Sequence, residues 1–196
     1  MAKWRLAVLL SGRGSNFEAI ADAVGDGRIP DAEIVAVISD VPSAPGLARA
    51  HARGLPTHTF DRSVFPSRRE HEREIERVLD SARPHLICLA GYMRLLSPEF
   101  VDRHRGRILN IHPALLPKFP GLHAQRRALE AGETLSGCTV HLVDQGTDTG
   151  PILLQKTVPI LPGDTEESLS ARILAQEHAA YPEAIAQILE EMSKRA

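Results

Sequence analysis

Asn110 and His112 stand two residues apart in an apolar run that is typical of a β-strand. Residues two apart on a strand project from the same face, so the carboxamide and the imidazole point together where the strand ends. Pro113 and Pro117 then prevent a regular ladder and define the path of the exit loop. Two hydrogen-bond donors side by side at such a strand end are what an acyl-transfer site needs to stabilise a developing oxyanion.

A second polar segment, residues 144–150, follows the apolar run 138–143 and is dense in turn-forming residues. Asp148 in this acidic loop could reach the imidazole, where it would favour the charged form and raise the pKa of His112 above about 6.5. Alternatively, Asp144 and Asp148 both form Asx turns. His141 alternates with apolar neighbours, which favours a hydrogen-bonded core histidine over a ligand. No cluster has metal-ligand spacing, so we expect no metal.

A glycine-rich turn, residues 11–16 (Ser-Gly-Arg-Gly-Ser-Asn), separates the first predicted strand from the first predicted helix. Its glycines let backbone N–H groups approach an anion, and the helix that follows adds unpaired N–H groups and a favourable dipole. Phe17 replaces the third glycine of a dinucleotide fingerprint, and a Walker lysine is absent. This phosphate turn therefore predicts a phosphomonoester site; the alternative is an ordinary strand–helix turn.

Short apolar runs alternate with helical patterns along the chain. The predicted strands are residues 5–10, 33–39, 85–90, 107–112, 138–143 and 152–158, with an extended piece near Thr57. The predicted helices are residues 15–24, 44–53, 67–82 and 123–131, and a long last helix that starts at Asp164, has Glu167 as its capping-box partner and is interrupted at Pro182.

Strands rich in Val, Ile and Leu without polar alternation indicate a sheet covered on both faces. Strand–helix alternation then predicts an α/β fold: an open, mostly parallel twisted sheet with helices on both faces, Rossmann-like. Ligands in such sheets bind at the carboxyl ends of strands. We therefore expect the Gly12 turn, Gly91, His112 and the acidic loop to converge at such ends.

With 196 residues, a net charge of −2 and a pI near 6.5, the chain has no overall attraction for nucleic acid or an acidic membrane. Cys88 and Cys138 lie in apolar runs and are predicted to be buried thiols rather than a disulfide. No segment resembles a signal peptide or a membrane span, so we expect a cytoplasmic protein. We expect one domain over 1–196, with a phosphate-binding half (about 1–105) and a catalytic half that includes the acidic loop (about 106–196), as a monomer or homodimer.

Four segments carry a family resemblance that runs nearly end to end: 11–16, 89–98 (Leu-Ala-Gly-Tyr-Met-Arg-Leu-Leu-Ser-Pro), 110–121 and 143–151. With Gln176-Glu-His178 they resemble the 10-formyltetrahydrofolate-dependent formyltransferases, and among these the phosphoribosylglycinamide formyltransferases. The resemblance implies small-molecule substrates: a formyl group would pass from 10-formyltetrahydrofolate, the cosubstrate, to the amine of N1-(5-phospho-D-ribosyl)glycinamide in purine (IMP) synthesis.

The resemblance also implies residue roles. The catalytic residues would be Asn110, His112 and Asp148. The ribonucleotide would be held by Gly14, Ser15 and Asn16 at its phosphate and by Glu177 at its ribose. The folate would be bound by Arg68 at its glutamate tail and by Met93, Arg94, Leu95, Leu96, Asn110, Asp144 and Asp148 around the pterin. Independently, Glu177 shares the apolar helix face of Ile173 and Leu169, so its carboxylate needs a partner there or lies in a peripheral ion pair.

Two details depart from the family pattern: Arg13 replaces a common Asn, and residues 145–147 vary the acidic loop. Three other readings remain. A formyltetrahydrofolate hydrolase would use water as acceptor and normally has an added regulatory domain. A methionyl-tRNA formyltransferase would need a basic C-terminal domain. A non-catalytic phosphate-binding module would have no use for Asn110, His112 and Asp148 together.

Overall fold

A computed structural model describes residues 3–195. It contains one seven-stranded sheet in the order β3-β2-β1-β4-β5-β6-β7. The strands are β1 Trp4–Leu10, β2 Ala32–Ser39, β3 Thr57–Thr59, β4 Leu86–Leu89, β5 Ile108–His112, β6 Leu135–Leu142 and β7 Ile152–Pro159. All seven predicted extended segments are present, and the predicted α/β class is confirmed.

Strands β1 to β5 are mutually parallel, whereas β6 pairs antiparallel with β5 and β7 antiparallel with β6. The mostly parallel sheet is therefore confirmed. Its two antiparallel strands form a hairpin at one edge, because the acidic loop joins β6 directly to β7 with no crossover helix.

Within residues 3–195, six α-helices lie between or after these strands: α1 Ser15–Gly25, α2 Pro45–Ala52, α3 Arg68–Ala82, α4 Pro98–Arg103, α5 Ala124–Glu130 and α6 Glu166–Arg195. A short 3-10 helix spans Arg62–Val64. Helix α4, which has six residues, was not predicted from the sequence. Its N-cap is Ser97, whose hydroxyl accepts a hydrogen bond from Phe100 N–H. Its only sequence signal is Ser97-Pro98, an N-cap followed by proline at the first helical position.

The prediction that Pro182 interrupts the last helix is wrong, since α6 runs unbroken for 30 residues. The helix continues through Pro182 because it is held by packing on both sides, where Tyr181 and Ile185 are fully buried. The Tyr181 hydroxyl donates to the carbonyls of Leu89 and Leu109 at 3.1 and 3.0 Å, which fixes α6 across β4 and β5.

The predicted capping box at the start of α6 is also displaced by one residue. Thr165 N–H donates to Ser168 Oγ and Ser168 N–H donates to Thr165 Oγ1, at 3.0 and 3.2 Å. Asp164 instead accepts from both Arg172 and Ser168. Asp164 and Glu167 are therefore not the capping pair.

Two apolar cores lie on opposite faces of the sheet, as predicted. One includes Phe17 of α1, Leu47 of α2 and Ile173 of α6; the other includes Ile75 of α3 and Phe100 of α4. The two cysteines are buried and unbridged, as expected, and burial raises the pKa of each thiol to about 12. Within residues 3–195 no helix is both long and apolar enough to cross a bilayer.

Candidate active site

The sheet reverses its strand order at β1, because β2 and β3 lie on one side of it and β4 on the other. A crevice forms at such a switch point, outside the carboxyl ends of the strands. The phosphate turn leaves β1 here and Gly91 follows β4. Ser11 N–H donates to Gly91 O at 3.0 Å, so the two predicted segments meet.

Asn110, His112 and Asp148 come together at the carboxyl end of β5, which is separated from β1 by β4. His112 Nδ1 lies 3.2 Å from Asp148 Oδ2, and Asn110 Nδ2 lies 3.4 Å from Asp148 Oδ1. The predicted reach of the carboxylate to the imidazole is confirmed. In residues 3–195, no group of three or more His, Cys, Asp and Glu side chains is arranged to hold a metal ion.

The route by which Asp148 arrives differs from the expected one. Because β6 runs antiparallel, its carboxyl end lies level with Leu109, and Val143 N–H donates to Ile108 O at the start of β5. The acidic loop therefore leaves the sheet near the start of β5, and the expected convergence with His112 at the carboxyl end is reached only by Asp148. The loop folds back, with Asp148 at a φ of 56°, and Gly121 N–H donates to Asp148 Oδ2 at 2.8 Å.

The two acidic residues of this loop have separate roles. Asp144 Oδ1 accepts from Gly146 N–H and from Thr149 Oγ1, which is an Asx-type turn. Asp148 instead reaches out of the loop to His112. The Asx-turn alternative thus holds for Asp144, whereas Asp148 makes the cross-loop contact.

Burial acts against the charge of both partners in this cluster. It opposes ionisation of Asp148, but hydrogen bonds from His141 and Gly121 N–H and the charge of His112 outweigh it and lower the pKa of Asp148 to about 2. For His112, burial lowers the pKa below its usual value, although Asp148 and the Phe119 carbonyl oppose this. The expected net increase in the pKa of His112 is therefore wrong, even though Asp148 acts in the expected direction.

Both ring nitrogens of His112 face acceptors. Nε2 lies 2.9 Å from Phe119 O, and Nδ1 faces Asp148. A carbonyl and a carboxylate can only accept, so a ring that satisfies both carries a proton on each nitrogen. The exit loop that Pro113 and Pro117 shape thus returns to hold the imidazole from the side opposite Asp148.

His141 belongs to the same cluster, which sequence analysis did not predict. It is 2% exposed and hydrogen-bonded, so the predicted core histidine is confirmed. The β5–β6 register also places it opposite Asn110, with Nε2 3.2 Å from Asn110 Nδ2 and 3.5 Å from Asp148 Oδ1. Had β6 been known to pair antiparallel with β5, this register would have placed His141 in the cluster. The apolar run 138–143 does not indicate the direction of the strand.

The phosphate turn is supported by a residue outside its motif. Gly14 has a φ of 79° and precedes α1, and a Cβ built on it would lie 2.6 Å from Gly46 Cα. Gly46 N–H also donates to Gly12 O at 3.1 Å. The first turn of α2 therefore packs directly on the phosphate turn. Arg13 in the same turn is exposed.

Glu177 finds its partner in this turn. It is 8% exposed, and its Oε2 accepts from Asn16 Nδ2 at 2.7 Å across 161 positions of sequence. Burial raises the pKa of Glu177, and the Asn16 hydrogen bond only partly offsets this. The structure thus joins two predicted ribonucleotide-binding residues by an amide–carboxylate hydrogen bond and not by the alternative ion pair. Ser15 is half-buried beside them.

The predicted folate-binding residues do not all lie in one part of the structure. Residues 92–96, here named the β4 loop, follow β4. Met93 and Leu95 in this loop are 66% and 63% exposed, and Leu96 is half-buried. Arg94 makes an ion pair with Asp40. Arg68 is an exposed residue at the start of α3 and is not part of the Asn110–His112–Asp148 cluster.

The strand order and the helices on both faces of the sheet define an α/β protein of the Rossmann-like class. The chain belongs to the formyl transferase family, whose sequence model matches residues 4–185. It is 48% identical to the phosphoribosylglycinamide formyltransferase of Escherichia coli (strain K12), over 90% of this chain and 83% of that protein.

Other relatives agree in fold and sequence. The glycinamide ribonucleotide transformylase 1 structure from Symbiobacterium toebii has a TM-score of 0.94 at 48% identity, over 97% of this chain and 89% of that one. The trifunctional purine biosynthetic protein adenosine-3 of Drosophila pseudoobscura pseudoobscura is 56% identical over 93% of this chain. The chain spans only 13% of that longer relative's length.

Proposed function

We propose that this protein transfers the formyl group of 10-formyltetrahydrofolate to the amine of N1-(5-phospho-D-ribosyl)glycinamide, as a step of purine biosynthesis. The observation that carries this proposal is the meeting of Asn110, His112 and Asp148, from two separate segments, at the carboxyl end of β5. The named activities of the similar proteins agree with it.

In the reaction, the substrate amine attacks the formyl carbon and gives a tetrahedral intermediate with one oxyanion. Asn110 donates to this oxyanion from its amide. Protonated His112 donates an N–H group to the same oxyanion, with its ring held between Phe119 O and Asp148. Collapse of the intermediate breaks the bond from carbon to N10 of the folate, and N10 takes up a proton that the amine has lost.

The electrostatics of the cluster suit this sequence of events. In the free protein, burial keeps the pKa of His112 low. An oxyanion adds a second negative charge beside the imidazole, next to the ionised Asp148, and both charges favour the imidazolium. The donor is therefore strongest when the charge develops. Asp148 also positions a water molecule that carries the proton from the amine to N10.

The two substrates use different parts of the crevice. Backbone N–H groups of Gly14, Ser15 and Asn16 hold the phosphate at the start of α1, and Glu177 accepts from the ribose hydroxyls. The β4 loop and the acidic loop enclose the pterin, where the exposed Met93 and Leu95 gain apolar cover.

The test mixes purified protein with 10-formyltetrahydrofolate and the ribonucleotide and follows the release of tetrahydrofolate. We expect release that requires the ribonucleotide and a stoichiometric N-formyl product. Equal release without the ribonucleotide would identify a hydrolase instead, and binding without any release would identify a non-catalytic module.

A further inference from the structure

The carboxyl ends of β2, β1 and β4 share a polar network that the proposed chemistry does not use. Asp40 follows β2 and is 3% exposed. Its Oδ1 accepts a hydrogen bond from Ser11 Oγ at 2.5 Å, and its Oδ2 accepts one from Arg94 Nε at 2.7 Å. A buried carboxylate is costly unless it is paired and hydrogen-bonded, so these contacts define the positions of all three groups.

Ser11 connects this network to two backbone segments. Its hydroxyl accepts from Met93 N–H at 2.8 Å while it donates to Asp40, and its own N–H donates to Gly91 O. Ser11 is also the first residue of the phosphate turn. One hydroxyl group therefore links the turn that holds the phosphate to the β4 loop that contacts the folate.

The side chain of Arg94 anchors the β4 loop, which leaves the backbone of that loop facing the proposed folate site. Its side chain is 51% exposed, but the Nε edge is held by Asp40, whose side chain is 1% exposed. The guanidinium is thus anchored toward the protein. Arg94 and Met93 are consecutive, so Asp40 fixes the β4 loop twice, directly through Arg94 and indirectly through Ser11.

We infer that Asp40 is a positioning residue that holds the β4 loop in register with the phosphate turn and so couples the binding of the two substrates. The inference rests on the proposed function, since it names the residue that keeps the two substrate subsites aligned. Asp40 itself touches neither substrate.

The test compares Asp40→Ala, which removes both contacts, with Asp40→Asn, which keeps an acceptor for Ser11 but loses the charge that holds Arg94. For Asp40→Ala we expect the KM for 10-formyltetrahydrofolate to rise about tenfold, as for loss of a charged hydrogen bond, with kcat at saturation nearly unchanged. Asp40→Asn should lie between the wild type and Asp40→Ala. Asp80→Asn, which breaks an exposed ion pair with Arg103, is the matched control and should change neither constant.

Direct binding measures the coupling itself. The dissociation constant of tetrahydrofolate is measured by fluorescence titration with and without saturating ribonucleotide. In the wild type we expect the ribonucleotide to tighten folate binding, and in Asp40→Ala we expect this ratio to approach one.

The outcomes separate this inference from the proposed function. Absence of formyl transfer in the wild type would refute the function. Transfer by the wild type with an unchanged KM and coupling ratio in Asp40→Ala would refute the role of Asp40 alone. A parallel loss of kcat, both affinities and Tm would make Asp40 a structural residue and would equally overturn the inference.

Discussion

In the half of the chain proposed to be catalytic, the polar side chains of the site contact one another: Asp148 lies within 3.2–3.4 Å of both His112 and Asn110. In the half proposed to bind the phosphate, the turn offers main-chain groups, and α1 begins after Gly14 with no side-chain cap. The first region depends on three side chains, and the second depends on the path of the backbone. The same kind of substitution should therefore reduce turnover in one region and substrate affinity in the other.

The largest effect is expected in the cluster. Asn110→Ala, His112→Ala and Asp148→Ala should each lower kcat by at least about 100-fold, because each removes an oxyanion donor or a proton-transfer group. The measurement is steady-state turnover at saturating concentrations of both substrates, with circular dichroism to verify the fold.

Glu133→Ala is the matched control for this series, because it removes only an exposed ion pair with Lys118. It should keep kcat within about twofold, as expected for a surface ion pair. Near-normal turnover of His112→Ala would remove the imidazole from the mechanism and would erase the contrast between the two regions.

A smaller effect, of the opposite kind, is expected for Gly14→Ala. The new Cβ would face Gly46 Cα at 2.6 Å, and the φ of 79° is unfavourable for alanine. We expect the KM for the ribonucleotide to rise about tenfold or more and Tm to fall by about 4–8 °C, which corresponds to about 2 kcal/mol, while kcat at saturation changes little.

Gly25→Ala tests whether this result is specific to the turn. Gly25 lies at the other end of α1, has no positive φ, and a Cβ there meets nothing within 4 Å. Its KM values should match the wild type. If Gly14→Ala lowered kcat as strongly as the cluster variants do, the backbone of the turn would be part of the chemistry.

The sequence was sufficient for the features that depend on local pattern. Apolar runs without polar alternation predicted six of the seven extended segments, and a spacing of two predicted that Asn110 and His112 project together, as their shared contact with Asp148 shows. The family resemblance identified Asp148, among the acidic residues of the loop, as the partner of His112. Each of these predictions follows from neighbouring residues or from a short sequence motif.

Strand direction and long-range pairing could not be predicted in this way. His141 enters the cluster because β6 is antiparallel to β5. A six-residue apolar run predicts a strand but not whether that strand pairs parallel or antiparallel with its neighbour. Asp40 looks like an ordinary loop acid until β2, β1 and β4 are placed side by side. The pKa of His112 was misjudged because the cost of burial is not visible in the sequence.

The smallest effect expected here concerns Glu177, which links the backbone-based region to a buried charge. Since burial raises its pKa in the folded protein, its contribution to stability is full below its unfolded pKa and is lost as the pH rises through the folded value. At pH 7 the buried carboxylate therefore lowers the free energy of unfolding. Glu177→Gln should raise Tm at pH 7 by about 2–4 °C, or about 1 kcal/mol, and this gain should shrink as the pH falls toward 4.

The same substitution should weaken the ribonucleotide site, because a neutral amide is a poorer acceptor for ribose hydroxyls than a carboxylate. We expect the KM for the ribonucleotide to rise about fivefold, less than for Gly14→Ala, with kcat unchanged. Glu183→Gln, on the same helix but paired at the surface with Lys156, should show neither the pH-dependent gain in Tm nor the change in KM. A Glu177→Gln protein that is less stable than the wild type at pH 7 would mean that the hydrogen bond from Asn16 outweighs the cost of burial. The Glu177 carboxylate would then stabilise the contact between α1 and α6. The phosphate turn would in that case depend on a side chain as well as on its backbone.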